Sequence, residues 1–268
     1  MLVAKLREDA QEIIEKFIRM KVEEAGASGV VLGISGGIDS AVVAHLCVRA
    51  LGKEKVMGVM MPEKGSNPQD LDHGLMIAKS LGIEHVVVDI TEAVQAILKS
   101  SPKKGDRLSD ANVKARCRMI VLYHIANSTN RLVMGCGNKT EIMIGYFTKY
   151  GDGGADYMPI GDLYKTQVRE LARRLGIPKE ILEKPPSAGL WEGQTDEGEI
   201  GITYDILDQV LFGLETGLSP ERIAKEVGCD IETVSKVQGM IRKSVHKRRL
   251  PLIPKVGLKT PGFDWREY

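Results

Sequence analysis

Between Gly33 and Ser40 the chain reads GISGGIDS, which sets three glycines, two serines and an aspartate between the apolar runs 29–32 and 41–44. Glycine lets a backbone approach a ligand closely, and a helix that follows offers unpaired N–H groups with a partial positive charge. Ser35 and Ser40 add hydroxyl donors. This is a cradle for phosphate, yet it lacks the lysine of the G-x-x-x-x-G-K-[ST] loop and carries Asp39 instead. Unaided, that carboxylate would repel a phosphate by roughly 4 kcal/mol at about 4 Å with an effective dielectric near 20. A divalent cation between them reverses the sign, because Mg²⁺ is held by one or two carboxylates together with substrate phosphate oxygens. The loop therefore predicts magnesium pyrophosphate, with Asp39 as a metal ligand.

A second carboxylate must lie at the same sheet edge, and Glu141, just after the apolar run 132–134, is placed for it. Downstream, Gly151, Gly153 and Gly154 expose backbone, Lys149 and Lys165 supply charge, and Asp152 and Asp156 can accept from ribose or amide groups. Tyr146, Phe147 and Tyr150 flank this stretch. The run GCGNKT at 135–140 begins like a dinucleotide fingerprint but lacks its third glycine and a following strand with a ribose-binding acid, so it reads as a turn.

The elements that must position these groups are legible as alternation. Val30–Ile34, Val56–Met61, His85–Ile90 and Leu132–Met134 are apolar on nearly every position, as strands buried on both faces are. Helical patterns separate or follow them at Ser40–Leu51, Gln69–Leu81, Thr91–Lys99, Asn112–Ala126, Leu163–Leu175 and Tyr204–Leu214. The expected fold class is α/β: a doubly wound, mostly parallel sheet with helices on both faces and a helical C-terminal region after strand pairing ends near residue 145. Ligands of such sheets bind at the carboxyl ends of the strands, where the GISGGIDS loop falls. No repeat or low-complexity linker divides residues 1–268, which read as one domain.

Bulk properties narrow the class. With a net charge of +1, the chain has no global attraction for nucleic acid or an anionic membrane. No apolar run approaches the roughly 18 residues needed to span a bilayer. Four cysteines, Cys47, Cys117, Cys136 and Cys229, form no C-x-x-C pair, which fits a reducing, cytoplasmic compartment.

The S-G-G-x-D-S string resembles the pyrophosphate loop of the ATP pyrophosphatases. With GNKTE, GYFTKYGDGGADYMPIGDLYKTQV, KPPSAGLWEGQTDEGEIGITYD and HKRRLP, the chain resembles the ammonia-dependent NAD synthetases over nearly its whole length. That resemblance implies a Rossmann-like ATP pyrophosphatase fold and a homodimeric ligase. It implies that ATP adenylylates the nicotinate carboxylate of deamido-NAD, and that ammonia then gives NAD, AMP and pyrophosphate. It assigns Gly33, Ile34, Ser35, Gly36, Gly37, Ile38, Asp39, Ser40, Cys136, Lys165 and Ser187 to ATP, and Asp39 and Glu141 to Mg²⁺. Asp39, Glu141 and Lys165 would carry catalysis, while Arg116, Lys149, Asp156, His246 and Lys247 would contact deamido-NAD. Cys136 and Ser187 stand where many members carry threonine, and a thiol is the weaker donor. At 268 residues no attached glutaminase is expected, so free ammonia would be the amide donor. The glycine-rich acidic segment Ser187–Gly201 would close over the adenylate.

Two other readings remain open at this level. Another ATP pyrophosphatase would share the first loop. Residues 219–249 also read as a helix-turn-helix trailed by Arg242, Lys243, Lys247, Arg248 and Arg249, the pattern of a DNA-binding regulator.

Overall fold

A computed structural model describes residues 2–260 apart from Glu192. The chain runs through α1 (Ala10–Glu24), β1 (Gly29–Gly33), α2 (Ile38–Leu51), β2 (Val56–Met60), α3 (Pro68–Leu81), β3 (Glu84–Val87), α4 (Thr91–Ser100), α5 (Arg107–Thr129) and β4 (Arg131–Val133). Helices follow: α6 (Lys139–Ile144), α7 (Lys165–Arg174), α8 (Lys179–Leu182), α9 (Asp196–Ile200), α10 (Tyr204–Glu215), α11 (Pro220–Val227) and α12 (Ile231–Lys243).

The strands form one parallel sheet of order β3-β2-β1-β4, in which Val30 pairs with Val56 on one side and with Leu132 on the other. Alternating side chains of β1 serve two different cores. Val30 and Leu32 pack with α1, α2 and α7, whereas Val31 packs with α4 and α5 on the opposite face. Burial on both faces explains why the central strands read as continuous apolar runs. The doubly wound α/β expectation agrees with this arrangement.

The third strand corrects one expectation. The run His85–Ile90 was expected to be buried on both faces, but the strand is Glu84–Val87, with Glu84 and Val87 exposed. It is an edge strand, with no strand neighbour on one flank among the described residues. The end of strand pairing near residue 145 also needs correcting. Tyr157 returns beside β4 in a parallel bridge with Met134 and accepts the Gly135 N–H at 2.8 Å.

A separate apolar cluster joins α6 and α10 to α11 and α12 through Tyr204, Leu207, Leu211, Ile223, Val234 and Val237. The helix pair expected at 219–249 exists, turning at Gly228 with a left-handed φ of 78°. Its seam is spent on this packing. Two of the basic residues that trail it face inward: Lys247 donates to the carbonyls of Gly145 and Phe147, and Arg248 to those of Ile142 and Met143. Among the described residues, no helix is long and apolar enough to cross a membrane.

Candidate active site

The cradle is built by the turn from β1 into α2. Ser35 N–H donates to Ser40 Oγ at 3.2 Å, Ser40 Oγ donates to Gly37 O at 3.0 Å, and Gly37 N–H donates to Ser35 Oγ at 3.3 Å. Gly36 sits at φ 72°, and a Cβ there would lie 2.3 Å from the Asp70 carbonyl oxygen of α3. Only glycine meets both conditions. The N-terminus of α2 has no side-chain cap, and its first turn, which carries Asp39, faces the cavity.

Lys165 organises the charge. Its side chain is 2% exposed, and its Nζ stands 2.5 Å from Asp39 Oδ2 and 3.5 Å from Glu141 Oε1. Asn138 brings the two acids together. It caps α6 by accepting Glu141 N–H at 3.0 Å, returns its own N–H to Glu141 Oε2 at 3.2 Å, and donates through Nδ2 to Asp39 Oδ1 at 3.0 Å. Burial disfavours the Lys165 charge, but Asp39 and Glu141 outweigh it and hold the ammonium above the ordinary lysine range. Burial pushes Glu141 the other way, well above the usual carboxylate range, against the pull of Lys165 and with help from Asp39 and Asp196. Asp196 adds a buried Oδ1 with no partner, while its Oδ2 accepts from Tyr204 Oη at 3.0 Å.

Two carboxylates converging on one nitrogen, with an orphaned carboxylate oxygen nearby, suit a cation. Among the described residues no group of three or more His, Cys, Asp or Glu forms a ready-made metal cage. A hard divalent ion held here would take its remaining ligands from phosphate oxygens and water, as Mg²⁺ does.

The cavity around these groups measures about 600 Å³. Every cradle residue except Gly36 lines it, together with Cys136, Glu141, Lys165, Ser187 and Lys247. Cys136 points its Sγ at Gly33 O, 3.9 Å away, and burial pushes its thiol pKa up. Arg116, Lys149, Asp156 and His246 do not line the cavity. Three of them form a chain beside it: Arg116 Nε donates to Lys149 O at 3.3 Å, and Lys149 Nζ to His246 O at 2.8 Å. Asp156 is turned to structural use, accepting Val133 N–H at 2.7 Å and Tyr123 Oη at 3.1 Å.

The segment after Ser187 lies along the cavity wall. Lys114 of α5 donates to Leu190 O at 3.1 Å, the Arg107 guanidinium stacks 4.3 Å from the Trp191 ring, and Glu199 accepts from Tyr146 Oη.

Several cavity groups escaped the sequence reading: Arg118, Asp70, Lys184 and Asp196. A signal for Arg118 did exist. Ala111, Ala115, Arg118 and Leu122 follow a helical i, i+4, i+7, i+11 stripe, and all but Ala111 line the cavity. Asp70 and Lys184 carry no such signal, because their meeting depends on packing between distant segments.

Comparison with known proteins identifies the family. A family profile described as NAD synthase matches residues 10–251. An NH(3)-dependent NAD(+) synthetase of Methanocaldococcus jannaschii is 51% identical over 259 residues, spanning 96% of this chain and 100% of the relative. The NH3-dependent NAD synthetase of Campylobacter jejuni, solved in complex with nitrate, superposes with a TM-score of 0.80 at 33% identity, covering 94% of this chain and 100% of that one. An NMN synthetase from Francisella tularensis superposes with a TM-score of 0.83 at 35% identity, covering 94% and 99%. With a profile match across most of the chain and a relative at half identity over nearly all of it, the protein belongs to the NAD synthase family.

Proposed function

We propose that this protein is a cytoplasmic, homodimeric ligase that amidates the nicotinate carboxylate of deamido-NAD with ammonia, consuming ATP. The observation that carries the reading is the buried Asp39–Lys165–Glu141 cluster beside a glycine turn that leads into the uncapped N-terminus of α2. In the first step a nicotinate carboxylate oxygen attacks the α-phosphorus of ATP. The bond from that phosphorus to the bridging oxygen breaks, and its electron pair leaves with pyrophosphate. Ammonia then attacks the acyl carbon, AMP departs with the electron pair of its bond to that carbon, and one proton is lost to solvent.

The cradle N–H groups would hold the phosphates, and Lys165 would offset the charge that builds as pyrophosphate leaves. Asp39 and Glu141 would hold Mg²⁺, whose chemistry here is charge neutralisation and orientation of the phosphates. The wall formed by 185–191 would help to exclude water, which would otherwise hydrolyse the activated acid. Lys247 in the cavity wall, with Arg116 and Lys149 beside it, would supply the positive charge that a dinucleotide with two phosphates and a carboxylate needs, and His246 adjoins them. Exposed Ile120, one turn along α5 from Arg116, and exposed Tyr150 extend that side as a surface for a second copy of the chain.

The likeness to an NMN synthetase raises one further reading, amidation of the mononucleotide. The test is to incubate protein, Mg-ATP and ammonium with deamido-NAD or with nicotinate mononucleotide, and to identify both nucleotide products. NAD with AMP is the expected result. Preferential conversion of the mononucleotide would favour the second reading, and ADP or no amide would overturn both.

A further inference from the structure

One ammonium at the cradle is held differently from the others. Lys165 is enclosed by two carboxylates, and Lys247 donates to two backbone carbonyls and, among the described residues, to no carboxylate. Lys184 instead has one carboxylate, Asp70 Oδ1 at 2.5 Å, and one carbonyl, Gly36 O at 3.3 Å. Its side chain keeps 20% exposure and that of Asp70 24%, and both line the cavity. Gly36 is the residue around which the cradle turns. A group seated 3.3 Å from its carbonyl stands at the cradle wall, within reach of an anion held by the cradle N–H groups.

Asp70 is the joint of three segments. Its backbone oxygen abuts Gly36, its Oδ1 holds Lys184, and its Oδ2 lies 3.4 Å from where a Cβ on Gly189 would project. The cradle, the start of α3 and the segment along the cavity wall therefore meet at a single partly exposed ion pair.

We propose that Lys184 is a ligand of the departing pyrophosphate, and that Asp70 is its resting partner. An ammonium shared between one aspartate and one carbonyl gains when a multiply charged pyrophosphate arrives, since charge-assisted hydrogen bonds to phosphate exceed those to a neutral carbonyl. When the bond between the α-phosphorus and the bridging oxygen breaks, the electron pair stays on pyrophosphate, and Lys184 meets that growing charge from the Gly36 side of the cradle. This assignment rests on the proposed ATP chemistry. It goes beyond that chemistry in naming a pyrophosphate ligand outside the glycine loop and the carboxylate pair.

The alternative is a structural strut, and the two partners of the pair tell the cases apart. A strut loses the same thing whichever end is cut. A partner exchange does not, because removing Asp70 frees Lys184 for the anion while removing Lys184 deprives the anion of a ligand. Binding of magnesium pyrophosphate alone is measured by calorimetry on the full chain, with wild type, Lys184→Met, Lys184→Arg and Asp70→Asn, after thermal melts confirm folding. Lys184→Met should weaken pyrophosphate binding and raise the KM for ATP by about 10- to 100-fold. Lys184→Arg should recover most of the loss, and Asp70→Asn should tighten pyrophosphate binding. Equal weakening by Lys184→Met and Asp70→Asn, or less than about a twofold change in Lys184→Met, would overturn the proposal. If Lys184→Met fails to fold, the sign of the change in Asp70→Asn decides. The binding assay needs no nicotinate substrate, so its failure beside normal wild-type turnover removes Lys184 alone and leaves the proposed reaction standing.

Discussion

The two sides of the cavity are built on different principles. On the cradle side the charged and hydroxyl groups pair with one another: Asp39 with Lys165 and Asn138, Glu141 with the backbone of the turn it caps, Ser35 with Ser40. On the opposite side the cations are tied to backbone carbonyls, Lys247 to Gly145 and Phe147 and Lys149 to His246, and Asp156 has turned away into the sheet. The first side is preorganised for charge that changes during a reaction. The second holds its side chains in place through backbone carbonyls and leaves Tyr150 beside them exposed. Preorganised charge is costly to disturb, whereas an open recognition surface loses affinity in small steps.

The largest effect should follow from breaking the cradle side. Asp39→Asn and Glu141→Gln should each fold and lose roughly 10²–10³ in kcat, the usual loss for one preorganised charge-stabilising group. Removing divalent metal with a chelator should abolish turnover and leave the melting temperature of the ligand-free protein unchanged. Near-normal kcat in either variant at saturating Mg²⁺ would remove the metal assignment.

Lys247→Ala probes the other side. It should raise the KM for deamido-NAD by about 10- to 100-fold, the size of a lost charge-assisted hydrogen bond, and leave the KM for ATP nearly unchanged. A DNA-binding role for the C-terminal helices demands the reverse, normal NAD synthesis with salt-sensitive duplex binding that weakens in the variant.

Gly36→Ala tests the cradle's shape rather than its charge. A left-handed residue with a Cβ costs about 1–2 kcal/mol before the contact with Asp70 O is counted, so the KM for ATP should rise about tenfold and the melting temperature should fall. Equal stability and affinity would mean that the turn relaxes freely. The smallest effect is expected at Cys136→Thr. Its thiol packs toward Gly33 O, and threonine has similar volume, so both KM values should stay within about twofold. A clear drop in the KM for ATP would show instead that residue 136 touches the nucleotide.

Legibility followed sequence distance. The cradle could be read because its strand, turn and helix are consecutive, and Glu141 because it follows the β4 run by a few residues. Edge position could not be read. The run at 85–90 looks like an interior strand, and only the order β3-β2-β1-β4 exposes one of its flanks. Resemblance placed Lys165 near ATP, but not between two carboxylates that lie 126 and 24 positions away. Asp156 sits in the most distinctive stretch of the chain, and its carboxylate nevertheless pairs with a backbone N–H of β4.

What the sequence determined by itself is the local chemistry: a tight glycine turn, an acid beside it that needs a positive partner, and apolar runs that require a sheet covered on both faces. Those follow from backbone sterics, Coulomb repulsion and hydrophobic periodicity, each acting over a few residues. Only the tertiary structure decided which charges neutralise one another. Lys165 meets Asp39 and Lys184 meets Asp70 because the crossovers of a parallel sheet gather loops from remote positions at the carboxyl ends of the strands. A buried ion pair is stable there only when its geometry and hydrogen bonds offset desolvation, a condition set by packing that no short stretch of residues encodes.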